Sequence, residues 1–455
     1  MRLILLSGGS GKRLWPLSND ARSKQFLKVL DNFDNGRESM VQRVWRQVEA
    51  VNLGESAVIA TSSTQVDMLQ NQLGNSVNIA IEPERRDTYP AIVLAATYLY
   101  SVEKAELDDV IAVLPVDSFV EDRFFERVKQ LEKVLLTYNA DLALVGVKPT
   151  YPSEKYGYIV PFPNQCDHEI MRVSHFHEKP QEIQAQDLIS QNALWNCGVF
   201  AFKLDYIISR LKTTGLPLDY QELKKEYKQL PKISFDYEVV EKANNVVALS
   251  YEGDWKDLGT WNTLTEEMQS DIIGKGMLSE DSVNTHLINE LDIPVIGLGV
   301  SNAVIVASPD GILFSDKATS PRLKDIVKEF SQRPMYEERR WGWYRVLDHT
   351  KYEDGQEVLT KRIGVIANNN ISYQMHLRRT EIWTITKGEG EYILDHEVKK
   401  VKAGDVLKIP VGSKHAIKAI TDLEFIEVQY GNELVEEDII RICMTWEEAV
   451  RKVMI

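Results

Sequence analysis

The sequence predicts an α/β fold: a Rossmann-like domain with a mainly parallel sheet, then a β-rich connector and a C-terminal β jelly roll. Three observations predict it. Short apolar runs alternate with helical spacing through the first half of the 455 residues, and that alternation stops after about Met268. From Arg340 onward β-type segments dominate, punctuated by Asn368-Asn369-Asn370, Lys387-Gly388 and Ala403-Gly404-Asp405. The length exceeds one comfortable core. Domains are therefore expected at 1–270, 271–335 and 336–455.

The elements follow in order. Residues 3–6 form an apolar run, a first buried strand that delivers Ser7-Gly8-Gly9-Ser10-Gly11-Lys12-Arg13-Leu14-Trp15-Pro16-Leu17. Runs at 57–61, 77–81, 110–114 and 142–147 read as strands, and 65–73, 91–102 and 123–136 have helical spacing. Repeated β-then-α units imply ligands at the carboxyl ends of the strands. Residues 198–202 and 246–251 read as later strands of the same unit. In the connector, 295–306 and 312–315 suggest strands around Pro309-Asp310-Gly311, with a helix near 322–330.

Composition narrows the function. A net charge of -15 argues against a nucleic-acid partner, which calls for a basic surface. It leaves nucleotides open, because a local cluster overrides an average. Lys12, Arg13, Arg22, Lys24 and Lys28 form such a cluster, in which Lys12 and Lys28 read as a solvated face. Cys166, Cys197 and Cys443 are widely spaced and odd in number, a pattern that gives neither a disulfide framework nor a CxxC metal site. The first apolar run is too short for a signal peptide, and nothing approaches the ~20 apolar residues of a membrane helix. A cytoplasmic protein with no membrane partner is expected.

The glycine loop is the strongest motif. Glycines let bare amides turn toward one point, which suits polyphosphate. The loop is neither GxxxxGK[ST] nor GxGxxG. Asp117 ends the apolar run 110–116, and Asp257 lies within Gly253-Asp254-Trp255-Lys256-Asp257-Leu258-Gly259-Thr260-Trp261. Alone, an Asp after a strand is more often a turn or cap residue. Together with Arg13-Leu14-Trp15-Pro16-Leu17 and Lys24-Gln25-Phe26-Leu27, these segments resemble the sugar-1-phosphate nucleotidyltransferases, whose signatures are GGxGxRLxPL, LPxD and WxDxGxW. The resemblance runs through nearly the whole chain and is strongest to the long guanylyltransferases that carry a cupin-type phosphomannose isomerase domain.

The resemblance implies roles. Asp117 and Asp257 would ligate Mg2+; Gly8, Gly9 and Arg13 would hold the triphosphate, and Lys24 would stabilise charge at the α-phosphate. Glu82-Pro83-Glu84-Arg85-Arg86-Asp87-Thr88-Tyr89-Pro90 resembles EPxxRNTAP, placing Arg86 and Thr88 in the nucleotide pocket. Asp87 and Tyr89 depart from that pattern, and Asp87 suits a helix cap as well as a ligand contact. Glu82 could accept from the guanine N1–H and amino group. Gly157 in a GYGYI-like loop, Glu178 and Lys179 in an FVEKP-like turn and Asn196 in a WNSG-like turn would hold the sugar phosphate. Ser234-Phe235-Asp236-Tyr237 resembles SxDY. The implied partners are GTP and mannose 1-phosphate, in-line displacement is the implied chemistry, and a homo-oligomer is the expected assembly. The rivals are transfer to another sugar 1-phosphate beside a non-catalytic cupin, and a regulatory binding protein with a decayed site. Ser23 stands where the family has proline.

Two half-motifs mark the C-terminal domain. Gln374-Met375-His376 precedes Glu381 and Gly388, and Gly404 precedes Pro410, Gly412 and His415. This resembles the cupin pattern, with Asn368 at the leading glycine. It implies Gln374, His376, Glu381 and His415 as ligands of Zn2+ or another divalent ion. The isomerase segment QMHHHRAEHW keeps Arg379, a catalytic candidate, but has Leu377, Arg378 and Ile382 in place of histidines; the arginine usual after the last histidine is Ala416. Interconversion of mannose 6-phosphate and fructose 6-phosphate and a merely structural module both remain open at this point, since no base can be named.

Overall fold

The apolar runs of the first half lie side by side in a nine-stranded sheet of the computed structural model. Its order is Asn78–Glu82, Ala57–Ser62, Arg2–Leu6, Val110–Pro115, Leu194–Lys203, Leu142–Val147, Val246–Tyr251, Ile170–His177 and Tyr158–Pro161. The structure describes residues 1–9, 12–19, 21–32, 36–163, 169–330 and 332–453; Ser10 and Gly11 of the loop and Cys166 lie outside them. Every residue of Ala57–Ser62 and Leu142–Val147 is buried, which is why these strands read as unbroken apolar runs rather than alternating ones. The buried helix Thr88–Ser101 covers part of the sheet.

The sheet is mixed. Arg2–Leu6 pairs in parallel with both Ala57–Ser62 and Val110–Pro115, but Leu194–Lys203 runs antiparallel between Val110–Pro115 and Leu142–Val147. That strand is longer than its apolar run, and its register shifts between Asn196 and Phe200, where Gly198 adopts a φ of 75°. Two consequences place the site. Leu6 lies opposite Pro115, so the glycine loop and Asp117 leave adjacent strand ends. Trp255–Asp257 pairs with Ser118–Val120, setting Asp257 opposite Ser118.

The chain divides into two units. The first comprises Met1–Val66, Gln72–Asp271 and Asp316–Val327. The second comprises Asp67–Asn71, Ile272–Ser315 and Lys328–Ile455. In the second, the run at 295–306 is two strands, Val295–Gly297 and Ala303–Ser308. Each finds a different parallel partner, Gly276–Leu278 and His286–Asn289 respectively. The helix expected near 322–330 is the shorter Leu323–Val327 and belongs to the first unit.

The C-terminal region packs a six-stranded sheet and a five-stranded sheet around Leu359, Trp383, Ile385, Ile417 and Phe425, all nearly inaccessible to water. Asn368 has a φ of 68°, a conformation Asn tolerates better than most residues, so it can stand where the pattern has glycine. Ala416 faces a small core with Tyr373, Ile393 and Trp446, where an arginine would have no room. No helix among the described residues is long and apolar enough to cross a membrane.

Candidate functional site

Residues 233 positions apart meet beyond the carboxyl ends of the first unit's central strands. Lys24 Nζ lies 2.9 Å from Asp117 Oδ2 and 2.9 Å from Asp257 Oδ1. Burial alone would lower the Lys24 ammonium, but the two carboxylates overcome it and hold its pKa above the ordinary value. Lys24 is therefore a fixed cation and no proton acceptor. A cavity of about 280 Å³ opens over the group, lined also by Gly9, Lys12, Arg13, Gly259 and Lys324. Lys12, expected on a solvated face, thus lines the cavity. Four cations facing two carboxylates make this spot positive in an acidic chain.

The loop is tethered by two buried amides that no motif announced. Gln25 Nε2 donates to Ser7 O at 2.9 Å, and Gln65 Nε2 donates to Gly9 O at 3.3 Å and to Ser23 Oγ. Thr61 Oγ1 completes the chain by donating to Gln65 Oε1 at 3.0 Å. Ser23 is fully buried at a φ of -73°. Its hydroxyl supplies an acceptor that proline could not, which accounts for the departure from the family sequence. Gly8 packs against Glu82, so a Cβ there would stand 3.2 Å from Glu82 Oε1.

The remaining nucleotide candidates are heavily engaged. Glu82 is buried and accepts from Tyr227 Oη at 2.6 Å; burial raises its pKa. Arg86 pairs with Glu84 at 2.7 Å and donates to Leu230 O at 3.1 Å. Thr88 Oγ1 accepts from Phe235 N at 2.8 Å. Asp87, at a φ of 80°, caps the helix by accepting from Thr88 N at 2.8 Å.

The sugar-phosphate candidates also converge. Gly157 lies so close to Glu178 and Phe176 that any Cβ would collide with both. Lys179 pairs with Glu178. Asn196 receives Gly198 N at 3.1 Å, donates to Asp236 Oδ1 at 2.7 Å and is held through its own N–H by Gly157 O at 2.8 Å. Asp236, the acid of the SxDY segment, is the group whose part here sequence reasoning left undefined. Burial, then the Glu178 charge, pushes its pKa up to about 6. Tyr156 contacts both Trp195 and Trp255 edge-on with centroids 5.1 Å apart, an aromatic wall running toward the Asp257 strand.

The second unit holds a different site. His376, Glu381 and His415 are buried, with ligand atoms within 4.8 Å of one another. His376 Nδ1 donates to Asp438 O at 2.5 Å and His415 Nδ1 to Ser413 O at 3.0 Å, so both Nε2 lone pairs turn toward Glu381. His376 Nε2 lies 3.2 Å from Glu381 Oε1; His415 Nε2, 3.6 Å from Oε2, has no hydrogen-bond partner. Burial lowers the His376 pKa to about 4. Burial opposes ionisation of Glu381, yet its surroundings hold its pKa below the ordinary value; with both imidazoles neutral the cation that keeps it ionised is Arg379, whose Nε donates to Oε1 at 2.8 Å. An orphaned imidazole nitrogen beside an ionised carboxylate and a second neutral imidazole is a donor set for a divalent metal.

Gln374 sits beside the cluster, its Nε2 3.4 Å from His376 Nε2 and its Oε1 accepting from Ser372 Oγ at 2.8 Å. A cavity of about 290 Å³ adjoins these residues and is lined by Arg339, Lys361, Glu427 and Glu436 as well. Lys361 Nζ bonds Glu436 Oε1 at 2.6 Å, a pair with a buried lysine and a half-buried glutamate that no motif marked. Leu377 and Ile382, the two apolar replacements for family histidines, are exposed and absent from the cavity lining, as is Arg378.

Comparison with known proteins agrees with this division. Residues 2–272 match the nucleotidyl transferase family and 328–443 the mannose-6-phosphate isomerase C-terminal family. A putative mannose-1-phosphate guanylyltransferase of Vibrio cholerae is 30% identical over 96% of this chain and 98% of its own. The xanthan biosynthesis protein XanB of Xanthomonas campestris is 30% identical, covering 96% of this chain and 97% of its own. A solved Thermus thermophilus structure, described as a mannose-1-phosphate geranyltransferase, is 26% identical with a TM-score of 0.58, covering 72% of this chain and 98% of its own.

Proposed function

We propose that this chain, which belongs to the nucleotidyl transferase family and to its mannose-1-phosphate guanylyltransferases, moves GMP from GTP to mannose 1-phosphate and releases pyrophosphate. The observation that carries it is the Lys24–Asp117–Asp257 cluster beside the glycine loop. Two carboxylates aimed at one point, exposed toward a cavity, are hard oxygen donors that fit Mg2+. Bound there, the ion would neutralise phosphate charge as the transfer proceeds. Gly8, Gly9 and Arg13 bind the triphosphate, with Glu82, Arg86 and Thr88 shaping the nucleotide side. Glu178, Lys179 and Asn196 hold the sugar phosphate, with Gly157 letting Glu178 pack against the loop.

A phosphate oxygen of mannose 1-phosphate attacks the α-phosphorus, and the bond from that phosphorus to the bridging oxygen of the β-phosphate breaks. The nucleophile is already anionic, so positioning and charge stabilisation supply the rate. Lys24, kept protonated, faces the charge that develops at the α-phosphate. Pyrophosphate release measured across GTP and ATP, with mannose 1-phosphate and glucose 1-phosphate, tests the assignment. GTP with mannose 1-phosphate should turn over fastest, and K24A should cost ~10²–10³-fold in kcat. An intact K24A rate defeats the assignment of Lys24, and preference for another pair defeats the substrates. The relatives' part in polysaccharide biosynthesis suggests the same destination for this product.

The orphaned His415 Nε2 favours a second reading for the barrel. Gln374, His376, Glu381 and His415 would hold Zn2+ or another divalent ion, which would polarise a sugar carbonyl, and Arg379 with Lys361 would bind and orient a phosphosugar. Because Leu377, Arg378 and Ile382 lie off the cavity, the loss of those histidines removes nothing from it. A divalent ion retained by the purified protein, lost on chelation and lost in H415A, is the expected result; metal-dependent conversion of mannose 6-phosphate to fructose 6-phosphate would add the isomerase activity to it. A metal-loaded protein without isomerisation leaves the barrel a structural module.

A further inference from the structure

The connector returns one short helix to the transferase unit. Residues Asp316–Val327 pack with the first unit although the strands just before them belong to the second. Two anchors hold the segment there. Leu323 and Val327 are buried where the helix Leu323–Val327 packs against the turn Lys12–Leu14. Ser320 Oγ accepts from Asn262 N at 3.3 Å, at the start of the helix that follows Gly259. The segment thus touches both elements that carry the catalytic cavity, the arginine turn and the Asp257 segment.

Its exposed lysine points the result. Lys324 lines the cavity with Gly9, Lys12, Arg13, Lys24, Asp117 and Asp257, and among the described residues its ammonium has no carboxylate partner. Lys24 is spent on the two acids. The terminal phosphates of a nucleoside triphosphate, and the pyrophosphate that leaves, carry more negative charge than Arg13 and Lys12 together can meet. A lysine is a flexible point charge suited to such a mobile group.

We propose that Lys324, supplied by the connector, is a binding residue for the β- and γ-phosphates of the incoming nucleotide and for pyrophosphate in the reverse reaction. This rests on the guanylyltransferase reading above. It assigns the connector a part in catalysis, since the lysine arrives only if the segment docks.

The test uses the full-length chain as wild type, K324A and K324R. Forward rates are measured against GTP and against mannose 1-phosphate, and reverse rates with GDP-mannose against pyrophosphate. K324A should raise the KM for pyrophosphate and for GTP about 10-fold or more, leave the KM for mannose 1-phosphate within about twofold, and keep the wild-type melting temperature. K324R should recover most of the loss. An unchanged pyrophosphate KM in K324A, with wild type active, overturns this proposal alone. An equal rise in the mannose 1-phosphate KM, or a lowered melting temperature, makes the residue structural and also overturns it. A wild type with no turnover removes the underlying reading and this one with it.

Discussion

The two units each set a basic side chain against carboxylates, but one cluster faces water and the other is sealed. At the transferase site the side chains of Asp117 and Asp257 remain 35% and 39% exposed around Lys24. In the barrel Glu381 is 1% exposed beside His376, His415 and Arg379. The difference is physical as well as functional. A transferase must admit a polyanion and release another, so its acids keep water as an alternative partner and tolerate exchange of neighbours. A sealed carboxylate has no such reserve, and every charge around it must be answered locally.

The largest expected effect exploits that contrast. E381Q leaves the Arg379 guanidinium buried without its carboxylate, and should cost the barrel about 3–5 kcal/mol and, on the metal-site proposal, its capacity to hold a divalent ion. D257N at the open site should change stability by no more than about 1 kcal/mol while abolishing most GMP transfer. Denaturant titration with metal analysis, beside a pyrophosphate-release assay, reads both. Equal stability losses would erase the distinction between the two sites.

A smaller effect comes from within the transferase unit, where Asp236 is the acid least comfortable when charged. Its pKa of about 6 stands above the ordinary 3.8. The folded state therefore holds a proton that the unfolded chain has released between those two values. The associated stability is fully present below about pH 3.8 and is lost as pH rises through about 6, by up to about 3 kcal/mol. D236N does not titrate, so the wild type should weaken relative to it from pH 4 to pH 7 in chemical unfolding. A pH-independent difference would mean that Asp236 ionises freely. D236N should also raise the KM for mannose 1-phosphate, since Asn196 is aimed by this carboxylate.

What the sequence made legible tracks the range of the interactions. The parallel strands were readable because burial on both faces leaves unbroken apolar runs, as in Leu142–Val147. Asp117 and Asp257 were readable because each ends a backbone motif; that they share Lys24 follows from strand order, which no local pattern encodes. In the barrel, His376 and Glu381 are neighbours in sequence, and the pairing of Gln374 with His415 brings in the last ligand. The supporting partners were not legible. Tyr227 reaches Glu82 across 145 positions and Asp236 reaches Asn196 across 40, each by a single side-chain contact without a periodic signature. The run at 295–306 was legible as β structure but not as two strands: bound for different sheets, they share one apolar composition, and only the loop between them distinguishes their partners.

The smallest effect concerns the loop on the open side. Proline in place of Ser23 fits the observed φ of -73°, so S23P should leave the backbone unmoved. It removes the hydroxyl that accepts from Gln65 Nε2, leaving that buried amide with Gly9 O at 3.3 Å. The expected cost is about 1 kcal/mol of stability, the typical value of one such bond. Gly9 also lines the phosphate cavity, so a Gln65 freed to rotate should loosen the loop and raise the KM for GTP without touching that for mannose 1-phosphate. Q65A should reproduce the defect, and S23P in the Q65A background should add little to it, because the two act through one hydrogen bond. Additive losses in that cycle would separate Ser23 from the loop and return its hydroxyl to mere packing.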